Sequence, residues 1–221
     1  MMGYRGRIVA VGIVIMFNIL RYFYYHQYMG VKFEPSFFIL TAIFLGFALL
    51  GGKQYDLAKF YAERDTLTNT YNRRVVEKMF NKRISNCESK KQKLAVILID
   101  LNNFKEINDE FGHKTGDELL RFTADLLKKN AKKDDVIIRW GGDEFVHIIP
   151  NSEPGFEFDY IHTLNNELTH NEIPSMGASI GIAVFPDEGE DFDTLIQQAD
   201  KAMYEWKSNF SQDKVPAGQN K

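Results

Sequence analysis

Two apolar runs open the chain. Residues 8–20 (IVAVGIVIMFNIL) are interrupted only by Asn18, and residues 37–50 (FFILTAIFLGFALL) only by Thr41. Arg21 and the aromatic cluster Tyr22, Phe23, Tyr24 and Tyr25 follow the first run. Each run is shorter than the ~20 residues of an ideal span, but an arginine can snorkel and flanking Tyr and Phe suit the interfacial belt. The pattern predicts two transmembrane helices, at 8–25 and 34–51, joined by a loop over 26–33. A cleaved signal peptide explains the first run but not the second, and no small-residue cleavage site follows Leu20. Two buried core helices explain both runs but leave a strip of aromatic residues with no polar face.

From residue 53 the pattern changes. Residues 53–64 (KQYDLAKFYAER) put Tyr55, Leu57, Ala58 and Tyr61 close to helical spacing, which predicts a connecting helix after Gly51-Gly52. A polar turn over 65–71 precedes a helix over 73–86, a strand over 94–100 (LAVILID) and a helix over 116–130. Strands over 136–140 and 144–149 flank Gly141-Gly142; a helix over 158–169, a strand over 178–185 (ASIGIAVF) and a helix over 192–208 follow. Residues 209–221 read as a loose polar tail. Strands interleaved with helices predict an α/β sandwich, a central sheet flanked by helices. The uninterrupted apolar stretch 94–99 suits a central strand covered on both faces.

Composition sharpens this division. With 44% hydrophobic and 26% charged residues, the 221-residue chain fits one ordinary folded domain plus a smaller part, and not a disordered chain, a collagen or a solenoid. Fifteen of the 30 aromatic residues lie in the first 61, the part read as built for lipid. Residues 1–52 carry Arg5, Arg7, Arg21 and Lys32 against Glu34 alone, so within a net charge of −3 the remainder is acidic. An acidic soluble part excludes nonspecific nucleic-acid binding. Arg5 and Arg7 before the first span, with Lys53 and Lys59 after the second, place both ends in the cytoplasm by the positive-inside rule. The expected location is therefore the cell membrane, multi-pass, with the long soluble part in the cytoplasm. Cys87 is the single cysteine, which excludes an intrachain disulfide and a cysteine-based zinc site and reads as an inert surface thiol.

Candidate chemistry gathers at strand ends. Asp100 ends the central strand, where loops build sites. In Arg139-Trp140-Gly141-Gly142-Asp143-Glu144-Phe145, the two glycines allow a tight hairpin with positive φ, leaving Asp143 and Glu144 at its exit. If this hairpin lies beside the 94–100 strand, three acids converge. Such a group repels itself unless a divalent cation neutralises it, and oxygen ligands select Mg²⁺ or Mn²⁺ over zinc. Two-metal phosphoryl or nucleotidyl transfer uses clusters of this kind. On spacing alone, a hairpin turn with solvated acids accounts for the same residues.

Read with its flanks, Gly141-Gly142-Asp143-Glu144-Phe145 resembles the signature of the GGDEF family, the diguanylate cyclase domains. Asp65-x-Leu67-Thr68 with Asn72-Arg73-Arg74 is similar to that family's opening motif. Asp100-Leu101-Asn102-Asn103-Phe104-Lys105-Glu106-Ile107-Asn108-Asp109 and Phe111-Gly112-His113-x-x-Gly116-Asp117 are similar to its substrate motif. Ser179-Ile180-Gly181-Ile182-Ala183 and Ala199-Asp200-x-Ala202-Met203-Tyr204-x-x-Lys207 are similar to its closing elements. The resemblance covers residues 65–208 and leaves the two membrane helices outside.

It implies a polymerase-palm-like domain that binds one GTP per subunit, two copies meeting as a homodimer to make cyclic di-GMP and two pyrophosphates. It also implies that Asp100 and Asp143 hold Mg²⁺ by carboxylate, the Leu101 carbonyl assists, and Glu144 is a further ligand. Asp143 is the implied acceptor of the 3′-hydroxyl proton. Asn108 and Asp117 would read the guanine edge, His113 would lie near that pocket, Lys105 would balance charge on the transferring phosphoryl group, and Lys207 would reach the terminal phosphates. The turn at 104–108 would add main-chain N–H groups. Read singly, Asn108 and Asp117 are a turn residue and a first-turn acid, His113 a surface histidine, and Lys207 a cation near a helix C-terminus.

The chain departs from the pattern at Asn102, where the family often has a second Asp, and at Ser211, where a phosphate-binding Arg is expected. The product-inhibition motif Arg-x-x-Asp reads Lys132-Lys133-Asp134-Asp135, and a lysine cannot form the planar fork of an arginine. Feedback by product is therefore expected to be weak or missing. No recognisable sensor domain precedes residue 65. A competing expectation is a noncatalytic module that binds GTP or a partner protein and signals through the membrane helices.

Overall fold

The structure, a computed structural model, describes residues 3–32, 34–153, 155–169 and 177–212, with 206 and 208–212 described by their backbone alone. It divides into two compact units, Met1–Glu63 and Arg64–Lys221.

In the first unit, α1 (Arg5–Tyr22) runs into a π-helical turn (Phe23–Tyr28) and packs against α2 (Pro35–Glu63). Both helical stretches are long and apolar enough to cross a membrane. Their apolar side chains point outward: Ile8, Met16, Phe38 and Phe47 are all more than half exposed, and α1 buries no residue. The expected break at Gly51-Gly52 is absent, and the stretch read as a separate connecting helix is the C-terminal part of α2. A helical glycine costs about 1 kcal/mol, but Gly52 is where the two backbones meet: a Cβ there would lie 2.6 Å from Arg7 Cα. That approach sets the Asp56 carboxylate against the open first turn of α1, accepting from the Gly6 N–H (2.8 Å) and Arg7 Nε (3.2 Å). One helix thus caps the other.

The second unit is a five-stranded sheet in the order β1-β3-β4-β2-β5, with β1 (Tyr71–Asn72), β2 (Leu94–Leu101), β3 (Val136–Arg139), β4 (Glu144–Pro150) and β5 (Ala178–Phe185). The β1–β3 pair is parallel and the others antiparallel. The alternation of side chains along β2 divides the core. Leu94, Val96 and Leu98 meet Phe80 and Ile84 of α3 (Val76–Lys90) and Leu195, Ala199 and Met203 of α7 (Phe192–Gln212). Ala95, Ile97 and Ile99 meet Ile107 of α4 (Phe104–Phe111), Leu119 and Leu127 of α5 (His113–Asn130), and Leu164 of α6 (Phe156–Thr169). The fold is the expected palm-like sheet with helices on both faces.

Several local expectations change. The polar turn ends in β1, and the turn at 104–108 is the first part of α4, entered through Asn103 in the left-handed region, which asparagine tolerates. The helix expected from 116 begins at His113, after Gly112 with φ of 85° makes the corner. α7 extends to Gln212, into the stretch read as tail; residues 213–221 lie outside the described residues. Cys87 is no surface thiol: it is 1% exposed, one turn of α3 beyond Ile84 and packed in the core.

Candidate functional site

Antiparallel register brings the acids together. Asp100 of β2 stands directly opposite Glu144 of β4 and, on its other side, Ser179 of β5. The Leu101 N–H donates to the Asp143 carbonyl (3.3 Å), tying the hairpin turn to the end of the central strand. Burial raises the Glu144 carboxyl above the ordinary carboxylate range, and the charges of Asp100, Asp143 and Asp200 add to the rise, while Lys207 opposes it. Lys207 Nζ donates to Asp100 Oδ1 at 3.0 Å. α7 can deliver that lysine because β5 has Gly181 under it: a Cβ there would lie 1.8 Å from the Ala199 carbonyl oxygen.

The glycines of the hairpin make room rather than a left-handed turn. Neither Gly141 nor Gly142 has a positive φ. A Cβ on Gly141, however, would lie 2.5 Å from Glu144 Oε2, so the carboxylate folds over the glycine. The turn is closed by Trp140 N–H donating to the Glu144 carbonyl (2.8 Å). Arg139 braces it from outside: Nη2 and Nε donate to the Gly142 carbonyl (2.7 and 3.2 Å), and Nη1 to Asp65 Oδ1 (3.1 Å). Burial works to raise the Asp65 carboxyl, but hydrogen bonds from Thr68 and Arg139 hold it below its ordinary value.

The predicted base-reading residues lie on the two helices that flank the α4–α5 corner, Asn108 on α4 and Asp117 on α5. The Asn108 amide donates to the Phe104 carbonyl (3.1 Å), and its Oδ1 would lie 2.1 Å from a Cβ on Gly116. Asp117 follows Gly116 on the same turn and is partly exposed. Lys105 lies in the first turn of α4 and His113 opens α5, both exposed and not drawn into the acid group. The side chain of Ser211 lies outside the described residues.

As a cation site, the donor set of Asp100, Asp143, Glu144 and the Leu101 carbonyl is all oxygen, and the Glu144 carboxyl is raised by burial first and by the charges of Asp100, Asp143 and Asp200 after it, which fits Mg²⁺ or Mn²⁺. Among the described residues no three such groups stand close enough to share one ion already, and Lys207 supplies the positive charge at Asp100.

Sequence reasoning named Asp65, Arg139, Gly116 and Asp200 within motifs but missed their roles: Asp65 braces the turn with Arg139, Gly116 leaves space for Asn108, and Asp200 adds negative charge near Glu144. It also missed what Asn102 does. Its Oδ1 accepts from Ser179 Oγ (2.6 Å) and its N–H donates to the Gly177 carbonyl (2.9 Å), so it closes β2 onto the entry to β5. The Asp135 carboxylate, 4% exposed, is turned inward to His147 Nε2 (3.3 Å), and His147 Nδ1 meets the Tyr160 hydroxyl (2.8 Å). Burial, with Asp135 nearby, raises that phenol. A buried histidine in mid-strand leaves no such signature in sequence.

Residues 62–212 match the family described as Diguanylate cyclase, GGDEF domain. Over 156 residues the chain is 32% identical to diguanylate cyclase DosC of Escherichia coli K12, covering 67% of this chain and 34% of that protein. Over 164 residues it is 31% identical to diguanylate cyclase DgcS of Shewanella oneidensis, covering 73% of this chain and 55% of that one. The chain therefore spans between a third and just over half the length of these curated relatives. A crystal structure of a sensory box/GGDEF family protein from Caulobacter crescentus superposes with a TM-score of 0.62 at 33% identity, covering 66% of this chain and 99% of that one.

Proposed function

Because the chain belongs to the GGDEF family of diguanylate cyclase domains, we propose that residues 65–208 condense two GTP into cyclic di-GMP and two pyrophosphates. The observation that carries this is the Asp100–Glu144 pair, opposed across β2 and β4 with Asp143 in the adjoining turn and the Glu144 carboxyl raised by burial and, after it, by its acidic neighbours.

In this reading Asp100, Asp143, Glu144 and the main-chain carbonyl of Leu101 hold Mg²⁺ or Mn²⁺. When bound, the cation neutralises the phosphoryl oxygens of GTP and makes the α-phosphorus easier to attack. Asn108 and Asp117 pair with the guanine edge, so that adenine leaves them unsatisfied. Lys105 balances charge on the transferring phosphoryl group, Lys207 reaches the terminal phosphates, and His113 borders the base pocket. Asp143 takes the 3′-hydroxyl proton; Glu144, with its raised carboxyl, is the second group suited to accept it. That oxygen bonds to the α-phosphorus of the GTP held by the other copy while pyrophosphate leaves. Each site holds one GTP, so the cyclic product requires a homodimer. The two apolar helices, with basic residues at Arg5, Arg7, Lys53 and Lys59, anchor the domain at the cytoplasmic face of a bacterial cell membrane.

A second reading, a noncatalytic GTP-binding or signalling module, is favoured by one observation: Ser211 stands where the family pattern has a phosphate-binding arginine. The 221-residue chain in lipid nanodiscs, incubated with GTP and Mg²⁺ over a range of protein concentrations, distinguishes the two. Cyclic di-GMP detected by mass, rising more steeply than protein concentration and absent in Asp143→Ala, supports the cyclase. GTP binding without turnover moves the assignment to the module, and neither binding nor product overturns both.

A further inference from the structure

Arg21 turns into the helix pair instead of snorkelling to water. Its Nη2 donates to the Phe37 carbonyl (2.8 Å), Thr41 Oγ1 (2.7 Å) and Asn18 Oδ1 (3.0 Å), and the guanidinium lies 3.9 Å from the centre of the Phe37 ring. All these partners are neutral. The Nε is buried with no hydrogen-bond partner, and among the described residues no carboxylate pairs with this guanidinium. A cation held in a membrane-spanning hairpin without a counter-charge is strongly disfavoured, so the arrangement calls for an anion from outside the chain.

There is room for one. A cavity of about 360 Å³ is lined by Arg21, Tyr25, His26, Lys32, Glu34 and Ser36, among others. Arg21 and Lys32 outnumber Glu34, and Lys32 has no ion pair among the described residues. The backbone widens into the π-helical turn Phe23–Tyr28 where Tyr25 and His26 reach the cavity wall, a distortion that recurs at functional sites.

We propose that this cavity binds a phosphate oxyanion, carried by an anionic lipid headgroup or free in solution, with Arg21 and Lys32 as its cationic contacts. Charge-assisted bonds from a guanidinium and an ammonium suit that group. The proposal rests on the two helices spanning a membrane and is independent of cyclase activity; it gives the membrane part a ligand.

The test uses the 221-residue chain reconstituted in phosphatidylcholine vesicles, alone or mixed equally with phosphatidylglycerol. Flotation with the vesicles checks the membrane reading by itself, and failure to float overturns that reading and this one together. Native mass spectrometry of the extracted protein then reads retained lipid, and calorimetry with inorganic phosphate reads free-anion binding in phosphatidylcholine alone. Phosphatidylglycerol retained about tenfold more by wild type than by Arg21→Gln or Lys32→Gln supports a lipid source. Inorganic phosphate binding that both substitutions weaken to that extent supports a free one. Lys32→Gln lies outside both helices and decides the matter if Arg21→Gln does not fold. A chain that floats but shows neither preference, or whose preference survives Lys32→Gln, overturns the proposal.

Discussion

Lys207 Nζ lies 3.0 Å from Asp100 Oδ1, a pairing that spans 107 positions of sequence. A lysine from the last helix thus provides the positive charge at the end of the central strand, where the proposed cation would also bind.

The lysine and the cation compete for Asp100. Lys207→Met should tighten Mn²⁺ binding to the nucleotide-free chain by up to about fivefold, the modest value of a partly exposed pair. It should at the same time raise the KM for GTP. Electron paramagnetic resonance titration of Mn²⁺ reads the first effect, and unchanged affinity would remove Lys207 from the site.

The Glu144 carboxyl is raised in the fold, so its ionised form is the costly one. Stability linked to this group is full below its unfolded value and is lost as pH rises through the folded value. Glu144→Gln should therefore raise the Tm of the metal-free chain at pH 7, on the order of 2 °C, and leave it unchanged at pH 3. The same variant should make no cyclic product. Thermal melts at the two pH values check the sign, and Asp200→Asn should lower the Glu144 titration midpoint seen by NMR.

Gly116 leaves the space that the Asn108 amide fills. Gly116→Ala should push that amide aside and raise the KM for GTP by about tenfold or more, the equivalent of one lost hydrogen bond to the base, with circular dichroism unchanged. Competition by ATP should improve in parallel. Normal GTP binding in this variant would mean that Asn108 does not read the base.

Arg139 joins Asp65 to the carbonyl of Gly142. Removing it leaves a partly buried carboxylate without its cation and frees the turn that carries Asp143. Arg139→Ala should cost about 1–3 kcal/mol in denaturant unfolding and lower kcat more than it raises KM. Asp65→Asn should produce a smaller version of both changes.

Product feedback should be absent. The Asp135 carboxylate is committed inward to His147 and to the Lys132 N–H (2.8 Å), and Lys132 lacks the fork of an arginine. Initial rates measured with added cyclic di-GMP should match those without it. Inhibition that Asp135→Asn removes would show that the carboxylate remains available to ligand.

The sequence alone determined the chain's division into an apolar part and an acidic part, the order of the principal helices and strands, and the family, through Gly141 to Phe145 and the motifs around it. These are legible because period-two and period-3.6 patterns and short contiguous motifs are local properties of the chain. What only the tertiary structure decided is long-range. Asp100 faces Glu144 because β2 and β4 pair in one register, and Lys207 reaches Asp100 because Gly181 lets α7 lie against β5. Cys87 is buried because α3 turns that face to the sheet, and Arg21 points inward because α2 offers it the Phe37 carbonyl and Thr41. Each depends on which distant backbone comes within a few ångströms, and no local pattern of residues encodes that distance.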